Sequence, residues 1–180
     1  VTHLREFKQI PAILNGDRTR SFLKIQDGCD AFCTYCIVPY ARGRSRSMPL
    51  PEVLAAIGRL KAGGFREVVL SGIHMGCYGR DLEPPTDILA LLRRIDETAL
   101  IDRVRLSSIE PMELTPAVID LLAASDRFCP HVHIPLQSGD NGVLGRMHRP
   151  YTREVFEGVV RGIHDKIPDA AIGVDVLIGF

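Results

Sequence analysis

Three of the five cysteines in this 180-residue chain fall within eight residues: Cys29, Cys33 and Cys36, spaced C-x3-C-x2-C. Three thiolates so close together can grip a soft metal centre from one loop. A structural zinc site normally closes with a fourth Cys or His. Here Cys77 and Cys129 have no paired spacing, and His74, His131 and His133 sit on separate elements. An iron–sulfur cluster held by Cys thiolates is the other reading. With three protein ligands for four irons, it leaves one iron open, and an open iron implies chemistry at the metal. Structural zinc remains the bland alternative.

The elements that must position the triplet can be read around it. An apolar run, residues 22–26, leads in as a buried strand, and Arg42, Arg44 and Arg46 lead out. Leu50-Pro51 opens a helix through Val53, Leu54, Ile57 and Leu60, stopped by Gly63-Gly64. Residues 67–70 read as a short strand running into Ser71-Gly72-Ile73-His74 and a glycine-rich loop through Gly79. Thr86 and Asp87 can cap the next helix. Strand 104–109 ends at Glu110-Pro111, and Thr115-Pro116 caps a helix and starts its first turn. Strand 131–136 ends in Gln137-Ser138-Gly139. A short helix around 143–147 follows, then a longer one capped by Thr152, and a last strand over 171–178 that contains Asp175.

This is strand and helix in alternation, with at least five strands. The rhythm predicts βαβ units, right-handed crossovers and a parallel sheet. Two architectures fit, a doubly wound sheet and a partial (β/α) barrel. In both, active residues collect at the C-terminal ends of the strands. Those ends are polar here: the cysteines, Ser71-Gly72, Ser108 with Glu110, Gln137-Ser138, and Asp175.

Composition narrows the classes. The hydrophobic fraction is 46% and the charged fraction 24%, a globular balance with no bias to disorder. Net charge is zero, so no overall field draws the chain to nucleic acid or membrane. Residues 1–50 nevertheless hold eight Lys/Arg against four acids, a basic excess local to the cysteine loop. No apolar run approaches the ~20 residues of a membrane helix, and the charged start is unlike a signal peptide. Clustered, odd-numbered cysteines favour a reducing compartment, hence a cytoplasmic location. The start without Met and a final strand lacking its loop suggest a piece of a longer protein. Residues 1–20 read as a linker or packing arm, and residues 21–180 as one core domain cut short at its C-terminal end.

Taken together, GCDAFCTYCIVPYARGRSRS, SGIHMGCYG, RLSSIEP, HIPLQSG with RMHRPY, and AIGVDVLIGF resemble the radical S-adenosylmethionine methylthiotransferases. SGIHMGCYGRDL and SSIEPMELTP look most like the branch acting on N6-threonylcarbamoyladenosine beside the tRNA anticodon. The resemblance implies a partial parallel barrel of the radical SAM type, a 4Fe–4S cluster on Cys29, Cys33 and Cys36, and reductive cleavage of S-adenosylmethionine. Tyr35 matches the aromatic position near the adenine. Ser71-Gly72-Ile73-His74 lies where the superfamily has a Gly-Gly-Glu-like stretch whose backbone meets the cofactor's amino group. This chain departs from that pattern at His74. Glu110, Gln137, Ser138 and Asp175 are candidates for the ribose or the methionine carboxylate.

The resemblance also implies partners: tRNA as substrate, an external electron donor such as flavodoxin or ferredoxin, and a sulfur donor. A second 4Fe–4S cluster is expected in an upstream domain absent from these residues. Methylthiolation of a ribosomal protein side chain and a non-catalytic zinc scaffold are the alternatives. Lesser features read more plainly. Arg42, Arg44 and Arg46 read as contacts to RNA phosphate or to the cofactor carboxylate, or as a solvated or salt-bridged loop. His131 and His133 read as a packed pair rather than a metal pair, and Cys77 and Cys129 as free thiols. Arg146, His148 and Arg149 form a small basic group, read as facing RNA or as a solvated helix end.

Overall fold

The computed structural model describes residues 7–8 and 20–180. The segment expected as a linker therefore lies almost wholly outside the described residues. In chain order the elements are β1 (Arg20–Lys24), β2 (Gln26–Asp27), α1 (Val38–Arg42), β3 (Arg46–Ser47), α2 (Leu50–Ala62), β4 (Glu67–Ser71), α3 (Ile88–Thr98), β5 (Arg103–Leu106), α4 (Pro116–Ala124), β6 (His131–His133), α5 (Asn141–Arg146), α6 (Arg153–Lys166) and β7 (Ala171–Gly173). Single 3-10 turns stand at Met75–Cys77 and Pro111–Glu113.

Strands β1, β4 and β5 form a parallel sheet in that order, with Leu23 opposite Leu70 and Leu70 opposite Leu106. Strands β6 and β7 form a second parallel pair. Isolated bridges from Val104 to Phe128 and from Ser108 to His133 join the two groups. The result is the expected partial parallel barrel, five strands in order of the chain. Val68, Val69 and Leu70 are all buried, as in a strand covered on both faces. Val53, Ala56, Ile57 and Leu60 of α2 and Leu91, Leu92 and Ile95 of α3 close over the sheet. Each buried Val, Ile or Leu side chain contributes about 1.5–3 kcal/mol relative to exposure.

Local signals set the helix starts. Asp87 accepts the Ala90 N–H at 2.7 Å, and Thr115 and Thr152 accept the N–H groups of Val118 and Val155 at 3.4 Å. Three details differ from the sequence reading. Helix α1 lies inside the cysteine loop, where no helix was expected. Strands β6 and β7 are three residues each rather than six and eight. Asp175 accordingly stands beyond β7, not within it, because the paired ladder ends at Gly173. A further bridge, Gln137 to Val176, then carries the two chains onward side by side.

Candidate functional site

The cysteine loop is tied at its neck before any thiol is considered. Strands β2 and β3 pair antiparallel, Gln26 with Ser47 and Asp27 with Arg46. Gly28 then turns with φ of +74°, and a Cβ there would lie 2.0 Å from the Arg44 carbonyl oxygen. Only glycine fits such an approach at that φ. The Cys29 N–H donates to Gly43 O at 3.1 Å. Inside the neck Gln26 is fully buried. Its Nε2 donates to Gly28 O and Ser45 Oγ, both at 2.8 Å, and its Oε1 accepts the His74 N–H at 2.8 Å. One amide thus ties the loop to the turn that follows β4.

Charge closes the same neck. Burial works against ionisation of Asp27, but the Lys24 ammonium at 2.8 Å, the Gly28 N–H and the Arg42 charge hold its carboxyl below the usual range. The Arg46 guanidinium is buried and donates to the carbonyls of Arg42 and Arg44 at 3.0 and 2.8 Å. Of the three loop arginines, Arg46 is therefore structural, while Arg42 and Arg44 are exposed.

The three cysteines project from this loop as free thiols, Cys33 buried and Cys29 and Cys36 half-buried. On the far side, Thr34 donates through its N–H to Met147 O at 3.2 Å and through Oγ1 to Arg146 O at 3.0 Å. The loop is thereby held at both ends of the barrel opening. Among the described residues, the three loop thiols are not a set of donors within 4.8 Å of one another; that distinction belongs to His74, Cys77 and Glu113. Ligands of one tetrahedral zinc would stand about 3.8 Å apart.

Positive groups face the sulfurs. His74 Nδ1 is 3.5 Å from Cys29 Sγ, and the Ala31 N–H donates to that sulfur at 3.4 Å. Burial pushes the Cys29 thiol up, yet these two contacts outweigh it and leave it below its ordinary value. Burial likewise opposes a charge on His74, but its contacts with Cys29, Cys77 and Glu113 push it up to about 12. Arg149 is the second cation. Its guanidinium is only 6% exposed, pairs with the Glu110 carboxylate, and donates to Cys33 Sγ at 3.3 Å and to Tyr35 Oη at 3.4 Å. It also lies over the Tyr151 ring, 5.0 Å from the centroid.

The expected residues divide into two groups. Tyr35 and Glu110 meet at Arg149, and His74 meets Cys29. Ser71 ends β4, its Oγ turned to Leu23 O at 3.4 Å, and Gly72 packs on Gln26. Across the opening, Gln137 takes a φ of +61° and its N–H donates to Asp175 O at 2.8 Å. Ser138 Oγ accepts the Asp140 N–H at 3.2 Å. Asp175 reaches His133 Nε2 at 3.4 Å, and His133 Nδ1 meets Ser108 Oγ at 2.6 Å. His131 and His133 are both half-buried, and the His133 ring is taken up by Ser108 and Asp175.

Sequence reasoning missed Arg149, Gln26 and Glu113 as members of this neighbourhood. Arg149 had been grouped with Arg146 and His148 at a solvated helix end; only the latter two are exposed. A polar Gln within the apolar run before the cysteines was the available signal for Gln26. Nothing local marks Glu113, because its partners come from the turn after β4.

The radical SAM superfamily model matches residues 23–180. The chain belongs to the radical SAM superfamily. Its solved neighbours have the same fold. The radical S-adenosylmethionine methyltransferase TsrM from Kitasatospora setae superposes with a TM-score of 0.72 at 21% identity, covering 88% of this chain and 31% of that one. The cobalamin-dependent S-adenosylmethionine radical enzyme OxsB gives 0.67 at 13% identity, over 87% of this chain and 23% of its own.

Curated relatives of this radical SAM chain are closer in sequence. A tRNA-2-methylthio-N(6)-dimethylallyladenosine synthase of Clostridium tetani is 41% identical over 90% of the chain. The threonylcarbamoyladenosine tRNA methylthiotransferase MtaB of Bacillus subtilis is 42% identical over 98%. The chain spans 36% and 39% of those relatives' lengths.

The residues present fit the cluster that a radical SAM domain binds. Three thiols, Cys29 held below its ordinary pKa, lie beside the half-buried His74 ring and the buried Arg149 guanidinium, on a loop whose neck needs no metal to close. Cys29, Cys33 and Cys36 would hold it.

Proposed function

We propose that this chain is the radical SAM core of a methylthiotransferase that acts on N6-threonylcarbamoyladenosine in tRNA. The observation that carries the reading is the convergence of the cysteine loop with Arg149, Tyr35 and Glu110 at one barrel mouth, in a chain whose curated relatives are named as tRNA methylthiotransferases. When bound, the cluster supplies the electron that cleaves S-adenosylmethionine and so starts radical chemistry on the base.

The protein's own residues do the rest by position. Cys29, Cys33 and Cys36 bind the cluster. Arg149 donates to the Cys33 sulfur and holds Tyr35 and Glu110 in place beside it. Ser71, Gly72 and His74 line the wall after β4 that would receive the cofactor's amino end, and Tyr35 would serve its adenine. Glu110, held beside the loop by Arg149, and Gln137, Ser138 and Asp175 across the opening would offer acceptors and donors for the ribose and carboxylate.

The threonylcarbamoyl substrate is favoured over dimethylallyladenosine by the resemblance of SGIHMGCYGRDL and SSIEPMELTP to that branch. The full reading includes a second 4Fe–4S cluster and an RNA-binding segment outside this chain, a flavodoxin- or ferredoxin-type reductant, a sulfur donor and a cytoplasmic location. No helix among the described residues is long and apolar enough to cross a membrane.

The test uses the full-length protein in cells lacking it. Digested tRNA should gain methylthio-threonylcarbamoyladenosine with wild type and not with Cys29→Ala. Thiolated dimethylallyladenosine, or a mass gain on a ribosomal protein instead, would redirect the substrate. Unaltered 5′-deoxyadenosine formation by Cys29→Ala would overturn the radical SAM assignment of the loop.

A further inference from the structure

Two buried side-chain groups without a hydrogen-bond partner stand together beyond β4: His74 Nε2 and Glu113 Oε2. Such atoms inside a protein need an explanation, and a bound ion is one that fits ligand-type atoms. The His74 and Glu113 side chains are 15% and 7% exposed, and Nε2 lies 2.8 Å from Glu113 Oε1, at an angle that misses hydrogen-bond geometry. Cys77 Sγ is 3.6 Å from the same oxygen. Donor atoms of all three residues lie within 4.8 Å of one another.

The backbone builds this group. The 3-10 turn Met75–Cys77 is closed by the Cys77 N–H on His74 O at 3.0 Å. Residues three apart eclipse in such a turn, so His74 and Cys77 share a side. The second 3-10 turn, Pro111–Glu113, brings the carboxylate across from β5. A Cβ on Gly76 would fall 1.7 Å from Glu113 Oε2, so glycine there is what lets the carboxylate in.

We propose that His74 Nε2, Cys77 Sγ and the Glu113 carboxylate bind one divalent zinc ion, at a site distinct from the three-cysteine loop. A mixed N, S, O set suits a borderline ion, and three protein ligands leave a fourth position open for water or substrate. Tetrahedral zinc would place N and O about 3.3 Å apart and S and O about 3.6 Å apart. The sulfur–oxygen separation already matches, and the nitrogen–oxygen pair needs to open by about half an ångström. Binding releases the Nε2 proton and the thiol proton to solvent. The ion and its three ligands are then neutral together, as are an imidazolium, a carboxylate and a thiol, with the exposed Arg80 guanidinium 3.9 Å from Glu113 Oε1 as a further positive charge at the rim. The Nδ1–H remains, 3.5 Å from Cys29 Sγ. A metal-bound His keeps its outer N–H as a donor, here turned to a sulfur. His74 thereby links the ion to a ligand of the loop. This inference does not rest on the substrate or the reaction proposed above.

The test loads full-length protein with iron and sulfide anaerobically, so that the loop thiols are occupied, then adds one equivalent of zinc and desalts. Wild type should retain about one zinc per chain with iron content unchanged. The zinc absorption edge should show a single sulfur at about 2.3 Å and N/O ligands at about 2.0–2.1 Å. Cys77→Ser and Glu113→Gln should each retain at least tenfold less. Zinc that washes out of wild type, or that carries two or more sulfurs, overturns the proposal. So does equal retention by both variants. Should either variant fail to fold, the wild-type ligand shell alone decides.

Discussion

The two walls of the barrel mouth are built on different terms. The wall from β1 to β4 is buried and cross-braced: Gln26 joins three segments, Asp27 gathers three cations, and Arg149 closes on Cys33. The wall at β6 and β7 is open. The Asp175 side chain is 59% exposed, and Ser138 bonds only its own turn among the described residues. A rigid wall fixes the thing that must not move, here the thiols. An open one leaves donors and acceptors for whatever enters. The contrast follows from where buried polar groups occur, since these must be satisfied wherever water is excluded.

Substitutions should break this contrast in graded order. Cys33→Ala in the full-length protein should abolish loading of the loop. Iron retained at this site and 5′-deoxyadenosine formed should fall more than about a hundredfold, beyond the 10–100-fold typical of an outer-shell change. Gln26→Ala should come next. It strands the His74 N–H and the Gly28 and Ser45 partners in a buried neck, which at about 1–3 kcal/mol per unsatisfied group lowers stability by several kcal/mol. A thermal or urea melt reads that loss directly.

Arg149→Met should affect the loop more than the fold. It removes a donor from Cys33 and leaves Glu110 without its cation, so the loaded cluster should show a lower reduction potential in an electron paramagnetic resonance titration. Iron affinity should fall about 10–100-fold. Arg149→Lys should not rescue it, because one ammonium cannot reach the sulfur, the phenol and the carboxylate together. Asp175→Asn is the smallest. Stability should change by less than about 0.5 kcal/mol, as for most exposed positions. Its effect should appear as a raised KM for S-adenosylmethionine. An Asp175→Asn melt shifted as far as that of Gln26→Ala would erase the distinction between the walls.

The same contrast governs what could be read from the sequence. Helix starts were legible because their causes are adjacent: Asp87, Thr115 and Thr152 each cap an N–H three residues on. The strand order and the polar strand ends were legible too, since alternation and apolar runs carry them. Helix α1 was not, being one turn of Val38–Arg42 inside a loop. Arg149 was not, because its burial depends on Glu110, 39 residues away, and on Cys33, 116 away. Glu113 needed a 3-10 turn on another strand. The braced wall was thus the harder to read, being made of long-range pairings that leave little local trace.

The neck at Gly28 has one more consequence. Its bonds, Cys29 N–H to Gly43 O and the Gln26 amide to Gly28 O, use no sulfur. The loop is therefore a drawstring pulled tight before iron arrives, and loading proceeds into a finished purse rather than by wrapping a chain around the metal. Amide exchange at Cys29 should be as slow in the iron-free full-length protein as in the loaded one. The centre must then enter by the rim that Phe32, Tyr35, Ile37 and Tyr40 leave facing outward.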